Sequence, residues 1–145
     1  MKDLSQYKQL NKAYLYREFK EKYNYPNMQI TSYRRVLYGE STYLGKGRSP
    51  YIADMFKFFS EKLDKPFIDI AYDLLDSEFF GRKNTLLDVL IAETGMSKNQ
   101  ITQALEHDQV ALDSLCDLNS LRLCELNDYT KVIYKEMKNK LIEKR

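Results

Sequence analysis

The sequence predicts an all-α protein, and three observations carry that prediction. Glycine and proline are scarce, five and three of 145 residues, while the helix-favouring Leu, Lys and Glu are frequent. Apolar residues recur at spacings of three and four along most of the chain, the period of one helical face. Residue groups that start helices, such as Ser49-Pro50 and Asp64-Lys65-Pro66, punctuate these runs. A hydrophobic content of 43% with 30% charged residues suffices for a core and is far from a disordered profile. There is no tryptophan, so twelve Tyr and seven Phe supply the large buried surfaces.

Residues 4–23 place Leu4, Tyr7, Leu10, Tyr14, Leu15, Phe19 and Tyr23 on one helical stripe, with a break near Asn11. The turn Asn24-Tyr25-Pro26-Asn27 ends it, because Pro26 disfavours helix at Tyr25 and asparagine tolerates the left-handed conformation expected at Asn27. A helix over about 28–38 turns Tyr33 and Val36 inward and stops at Gly39; residues 40–48, ESTYLGKGR, read as loop. From Ser49-Pro50 a helix carries Ile52, Met55, Phe56, Phe59 and Leu63 inward. From Asp64-Lys65-Pro66 another carries Phe67, Ile70, Ala71, Leu74 and Leu75, closed by Phe79-Phe80-Gly81. Asn84 is the expected cap of a helix burying Leu86, Leu87, Leu90 and Ile91. Ser97 and Gln100 fit a capping box ahead of Ile101, Ala104 and Leu105. Asp108 is the expected cap of a short helix with Val110, Leu112, Leu115 and Cys116, and residues 117–127 are read as helix although Leu121 and Leu123 alternate. In the last helix the stripe is Tyr129, Val132, Ile133, Met137 and Leu141, with lysines outside it.

The net charge of +2 is unevenly placed. Residues 1–50 carry ten Lys/Arg against four Asp/Glu, residues 51–128 seven against fifteen, and residues 129–145 six against two. A basic first third and an acidic middle suggest two surfaces with different partners. The first residues lack the apolar core of a signal peptide and no run reaches the ~20 apolar residues of a membrane span, so a soluble cytoplasmic protein without membrane contact is expected. Cys116 and Cys124 would lie ~12 Å apart in a helix, too far for a disulfide, and are read as buried packing thiols. With His107 the only histidine, no metal and no cofactor are expected. LGKGRS lacks the spacing of a phosphate-binding loop. Asp69, Asp73 and Asp76 share a helical face that reads as solvated, and no enzymatic activity is expected.

Asn27–Gly39, NMQITSYRRVLYG, has the shape of a recognition helix: a turn residue, a polar face, two inward positions and a glycine stop. Arg34 or Arg35 would pair with guanine, Gln29 would read adenine, and Thr31, Ser32 and Tyr38 lie on the same exposed stretch. Lys46, Arg48 and the helix start at Ser49 would hold phosphates. Laying Met28 over Met96 aligns this stretch with GMSKNQITQALEH at an offset of sixty-eight residues. Phe19, Tyr23, Tyr33, Val36 and Leu37 then meet Leu87, Ile91, Ile101, Ala104 and Leu105, and Asn27 meets Gly95. The second face, Lys98, Asn99, Gln100, Thr102 and Gln103, could meet DNA or a partner protein. Glu93, Glu106, Asp108 and Asp113 surround it and favour a protein, although lysines of the last helix would restore a basic edge if folded beside it.

LIAETGMSKNQITQAL resembles the helix-turn-helix of bacterial regulators, with Ile91 where that motif usually has alanine. Residues 13–76 resemble the Cro/C1-type (XRE-like) regulators, in the order of a recognition helix ending in Gly39 followed by a loop and two further helices; EFKEKYNYPN replaces the usual short second helix and turn. The resemblance implies a helix-turn-helix domain at 1–81 followed by a second helical, helix-turn-helix-like domain at 82–145. It also implies a sequence-specific regulator of a bacterial phage or mobile element that binds double-stranded DNA as a homodimer. The alternative is a phage inhibitor of a host protein. Such a chain resembles, in architecture, anti-CRISPR proteins that join a helix-turn-helix to a second helical domain, and Asp69, Asp73, Asp76 and Glu78 would supply its acidic surface.

Overall fold

Leu10, Asn11 and Lys12 interrupt the amino-terminal periodicity, and the chain changes helix type there. In the computed structural model, which describes residues 4–39, 51–75 and 84–143, Ser5–Leu10 form a 3-10 helix and Ala13–Tyr23 form α1. The break changes the phase of the stripe: Tyr7, Leu10, Leu15 and Phe19 are buried, but Tyr14 is 62% exposed, against expectation. Asn24 closes α1 in the left-handed conformation (φ 60°), with its N–H on the carbonyl of Lys20. The left-handed residue is thus Asn24 and not Asn27, because the α1 carbonyls need their cap where the helix ends.

The chain continues through α2 (Ile30–Leu37), α3 (Tyr51–Leu63) and α4 (Phe67–Leu75). Ser49-Pro50 and Phe79-Phe80-Gly81 fall outside the described residues. Asp64 does not cap α4. It is itself left-handed (φ 51°) and terminates α3, while the Pro66 carbonyl accepts the Asp69 and Ile70 amides at the start of α4. The predicted inward residues of α3 and α4 are buried, Leu63 only partly, and Phe58 and Ile68 join them.

The carboxy-terminal half consists of α5 (Leu86–Thr94), α6 (Lys98–Ala104), α7 (Gln109–Ser120) and α8 (Asp128–Glu143). Thr85, not Asn84, caps α5: its hydroxyl accepts the Asp88 amide and the Asp88 carboxylate accepts the Thr85 amide. Asn84 is buried one position earlier, with its carbonyl accepting from the Leu123 amide at 2.7 Å. Ser97 and Gln100 form the expected capping box and Asp108 caps α7. Residues 117–127 are only partly helical: α7 ends at Ser120, Arg122 bridges Thr85, and Leu123–Glu125 form a 3-10 turn.

Two stripes are rotated from the expected ones. α7 buries Ala111, Leu115 and Leu118 and leaves Val110 and Cys116 exposed. Cys116 and the half-buried Cys124 are therefore free thiols outside the core, not packing residues within it. α8 buries Thr130, Tyr134, Met137 and Leu141 and exposes Tyr129 and Val132. The rotation follows hydrogen bonding. Thr130 exchanges bonds with Asn127 at the helix start, and the Tyr134 hydroxyl bonds Glu93 at 2.7 Å, so both polar groups are buried with partners.

The described residues contain no sheet, and helices account for their architecture. One cluster of buried side chains runs from Tyr7 and Phe19 through α3 and α4 to Leu86, Ile101 and Leu141. α5 packs on α3 and α4, and Lys131 of α8 meets Asp69 of α4 at 3.0 Å. No helix among the described residues is long and apolar enough to cross a membrane.

Buried phenols give this core a pH limit. Burial raises the Tyr7, Tyr33 and Tyr134 hydroxyls far above the ordinary tyrosine range, helped by the carboxylates of Asp73, Glu18 and Glu93 respectively. The folded chain holds these protons more tightly than the unfolded one, so their contribution is complete below about pH 10 and is lost as pH rises above it. Each removes roughly 1.4 kcal/mol per pH unit there, or about 4 kcal/mol for the three. Urea midpoints should therefore fall steeply above about pH 10, with tyrosinate absorbance appearing together with the loss of helical dichroism. Tyrosinate forming well before unfolding would show that the phenols are open to solvent.

Candidate nucleic-acid interface

The sequence ITSYRRVL segregates its faces over little more than two turns. Tyr33, Val36 and Leu37 are buried, and Thr31, Arg34 and Arg35 are exposed. Tyr33 is the anchor. Its ring packs edge-on to Tyr16 and Phe59 and near Phe19, and its hydroxyl donates to the Leu10 carbonyl at 2.7 Å. The turn before α2 is strapped at both ends, since the Tyr16 hydroxyl donates to the Met28 carbonyl and Tyr25 donates to Asp54 of α3. α2 is therefore held rigidly with its arginines outward.

The predicted recognition stretch, about 28–38, is trimmed to Ile30–Leu37. Gln29 is the N-cap residue, exposed and extended, and makes no capping bond. Ser32 is half-buried and lines a shallow groove with Asn27, Met28, Gln29 and Tyr51. Tyr38 is the C-cap residue and is 48% exposed. The structure thus brings Gln29, Thr31, Ser32, Arg34, Arg35 and Tyr38 together on one short helix and its ends. Lys46, Arg48 and Ser49 lie outside the described residues.

Sequence reasoning missed the corner between the 3-10 helix and α1. Arg34 donates Nε–H to Asn11 Oδ1 at 3.1 Å, and Asn11 donates Nδ2–H to the Tyr38 hydroxyl at 2.6 Å. Lys12 follows Asn11 directly, and the Lys8 carbonyl accepts the Asn11 amide; both lysines are exposed. The only signal was an asparagine at a helix break, followed by a lysine and three residues after another.

The basic character of this region survives folding. Of the seven Lys and Arg in residues 4–39, only Lys22 has a carboxylate within ion-pair distance among the described residues, Glu61. Lys8, Lys12, Arg17, Lys20, Arg34 and Arg35 have none there, so no described carboxylate of the acidic middle consumes Arg34 or Arg35. α1 and α2 also start without a side-chain cap or a first-turn acid, whereas Thr85, Ser97 and Asp108 cap α5, α6 and α7. Their first amides, uncapped by any side chain among the described residues, add positive potential of the same sign as these cations.

The second turn is the tighter one. Gly95 is left-handed (φ 73°) and Ser97 caps α6 two residues later. At the offset of sixty-eight residues, Ile30 and Lys98 open α2 and α6 in register, and Tyr33 with Ile101 and Leu37 with Leu105 are buried pairs. The two turns do not superpose. α1 ends at Tyr23 where α5 ends at Thr94, so Asn24, not Asn27, does the work of Gly95 and a longer turn fills the gap. On α6, Lys98, Asn99, Thr102 and Gln103 are exposed, but Gln100 spends its carbonyl oxygen on the Ser97 amide and Thr102 donates to the Lys98 carbonyl.

Three of the four lysines of α8 are spent on carboxylates rather than on a basic edge there. Lys138 pairs with Glu93, Lys140 with Asp108 and Lys131 with Asp69. The same pairs remove Glu93 and Asp108 from the acidic rim. Asp69 and Asp73 are likewise not a solvated face: both are half-buried, and Asp73 accepts from Lys65 and from the Tyr7 hydroxyl. Asp76 and Glu78 lie outside the described residues. His107 is on the surface beside Glu106. Comparison of the chain with protein-family models, curated proteins and solved structures returns no match.

Proposed function

We propose that the chain is a sequence-specific DNA-binding regulator of a bacterial phage or mobile element, acting as a dimer with α2 in the major groove. The observation that carries the reading is that Arg34 and Arg35 stand exposed, without a carboxylate partner among the described residues, on a helix whose other face is locked into the core. Arginine pairs with guanine through two parallel hydrogen bonds, and here Arg34, Arg35, Gln29 and Thr31 are the base-reading set. Lys8, Lys12, Arg17 and Lys20 neutralise phosphates, joined by Lys46 and Arg48. The α6 face, polar but short of free cations, suits a partner protein better. The inhibitor reading draws on Asp69 and Asp73, and both already have internal cationic partners.

Titration of a labelled duplex at several salt concentrations tests the proposal. About six neutralised phosphates give a slope of roughly −5 in log affinity against log salt. Binding indifferent to salt, or none at low salt, would overturn it.

A further inference from the structure

We propose that Asn11 is a positioning residue that holds the Arg34 guanidinium for base readout, making the corner before α1 part of the recognition surface. This rests on the reading of α2 as the DNA-contacting helix. Arg34 and Tyr38 lie four residues apart on one helical face, and Asn11 is bound between them, accepting from Arg34 Nε at 3.1 Å and donating to the Tyr38 hydroxyl at 2.6 Å. Arg34 can only donate, so it selects the side-chain amide orientation: the Asn11 carbonyl oxygen faces the arginine and the Nδ2–H is left for the Tyr38 hydroxyl, which accepts it. Using Nε–H in this way leaves the two terminal nitrogens of Arg34, each able to donate, for guanine O6 and N7. Because asparagine is neutral, it orients the guanidinium without cancelling its charge. Asn11 is itself fixed: its backbone N–H donates to the Lys8 carbonyl, and the adjacent Leu10 carbonyl accepts from buried Tyr33 of α2. The corner and α2 are therefore one rigid unit.

Holding a long side chain in its bound rotamer before binding is worth roughly two- to tenfold in affinity. The test is a double-mutant cycle on a duplex selected by the wild-type chain from a randomised pool. Asn11→Ala should weaken binding to that duplex roughly two- to tenfold with the salt slope unchanged, and should have no further effect in an Arg34→Ala background. Asn11→Asp, which keeps the shape, should weaken it more, because its carboxylate neutralises Arg34. Helical dichroism of each variant reports folding. Equal losses from Asn11→Ala in both backgrounds, or tighter binding by Asn11→Asp, would overturn the role of Asn11 while leaving DNA binding intact. A pool from which no duplex is enriched would overturn the DNA reading and this role together.

Discussion

Replacing Arg34 and Arg35 together by alanine is expected to lower affinity for a selected duplex by about a hundredfold or more. A well-formed bidentate arginine pairing with a base is worth roughly 1–3 kcal/mol, and removing two of them at once reaches that factor readily. The fold should not change. Both side chains are exposed, and among the described residues Arg34 makes one hydrogen bond, to Asn11, while neither makes an ion pair. Circular dichroism and urea midpoints close to wild type are therefore part of the expected result. The salt series distinguishes two ways of weakening the complex. An arginine that reads a base relaxes sequence preference when it is removed, whereas one that neutralises a phosphate reduces the salt slope by about one. A double variant that binds the duplex as tightly as wild type would place the interface elsewhere on the chain.

The second large effect is on stability. Phe19→Ala is expected to cost about 3–5 kcal/mol, the usual range for truncating a buried phenylalanine, out of a typical total of about 5–15 kcal/mol. Phe19 is fully buried, with ring centroids of Tyr23, Tyr25, Phe58 and Tyr33 at 5.1, 5.7, 5.5 and 6.3 Å. It is the ring on which α1, the turn and α3 converge beneath α2, so the cavity left by alanine has aromatic walls that cannot all close on it. Urea denaturation followed by dichroism measures the loss, and Phe19→Leu, which keeps most of the volume, should recover much of it. An unchanged midpoint in Phe19→Ala would show that the ring cluster does not hold the amino-terminal half together. Because Tyr33 leans on the same ring, duplex binding by Phe19→Ala should weaken in parallel with stability.

Much of the helical order was legible because it depends on local rules. The capping box at Ser97 and Gln100 and the cap at Asp108 need only neighbouring residues to form. The exposed face of α2 was legible for a similar reason: with Tyr33, Val36 and Leu37 inward, Arg34 and Arg35 have nowhere else to go. Two of the failed expectations were decided by a partner distant in sequence. Tyr134 took the place of Val132 on the buried side of α8 because Glu93 of α5 receives its hydroxyl. Asp69, read as solvated, is half-buried beside Lys131, sixty-two positions away.

The candidate interface divides along the same line. By itself the sequence determined an all-helical chain, a basic first third and an amphipathic helix with two adjacent arginines, since periodicity and charge are properties of the chain. The tertiary structure decided which lysines are spent on carboxylates, and that Asn11 meets Arg34 across twenty-three positions. Hydrogen bonds and ion pairs are short-ranged, so their partners are chosen only when packing brings distant segments within about 3 Å of each other.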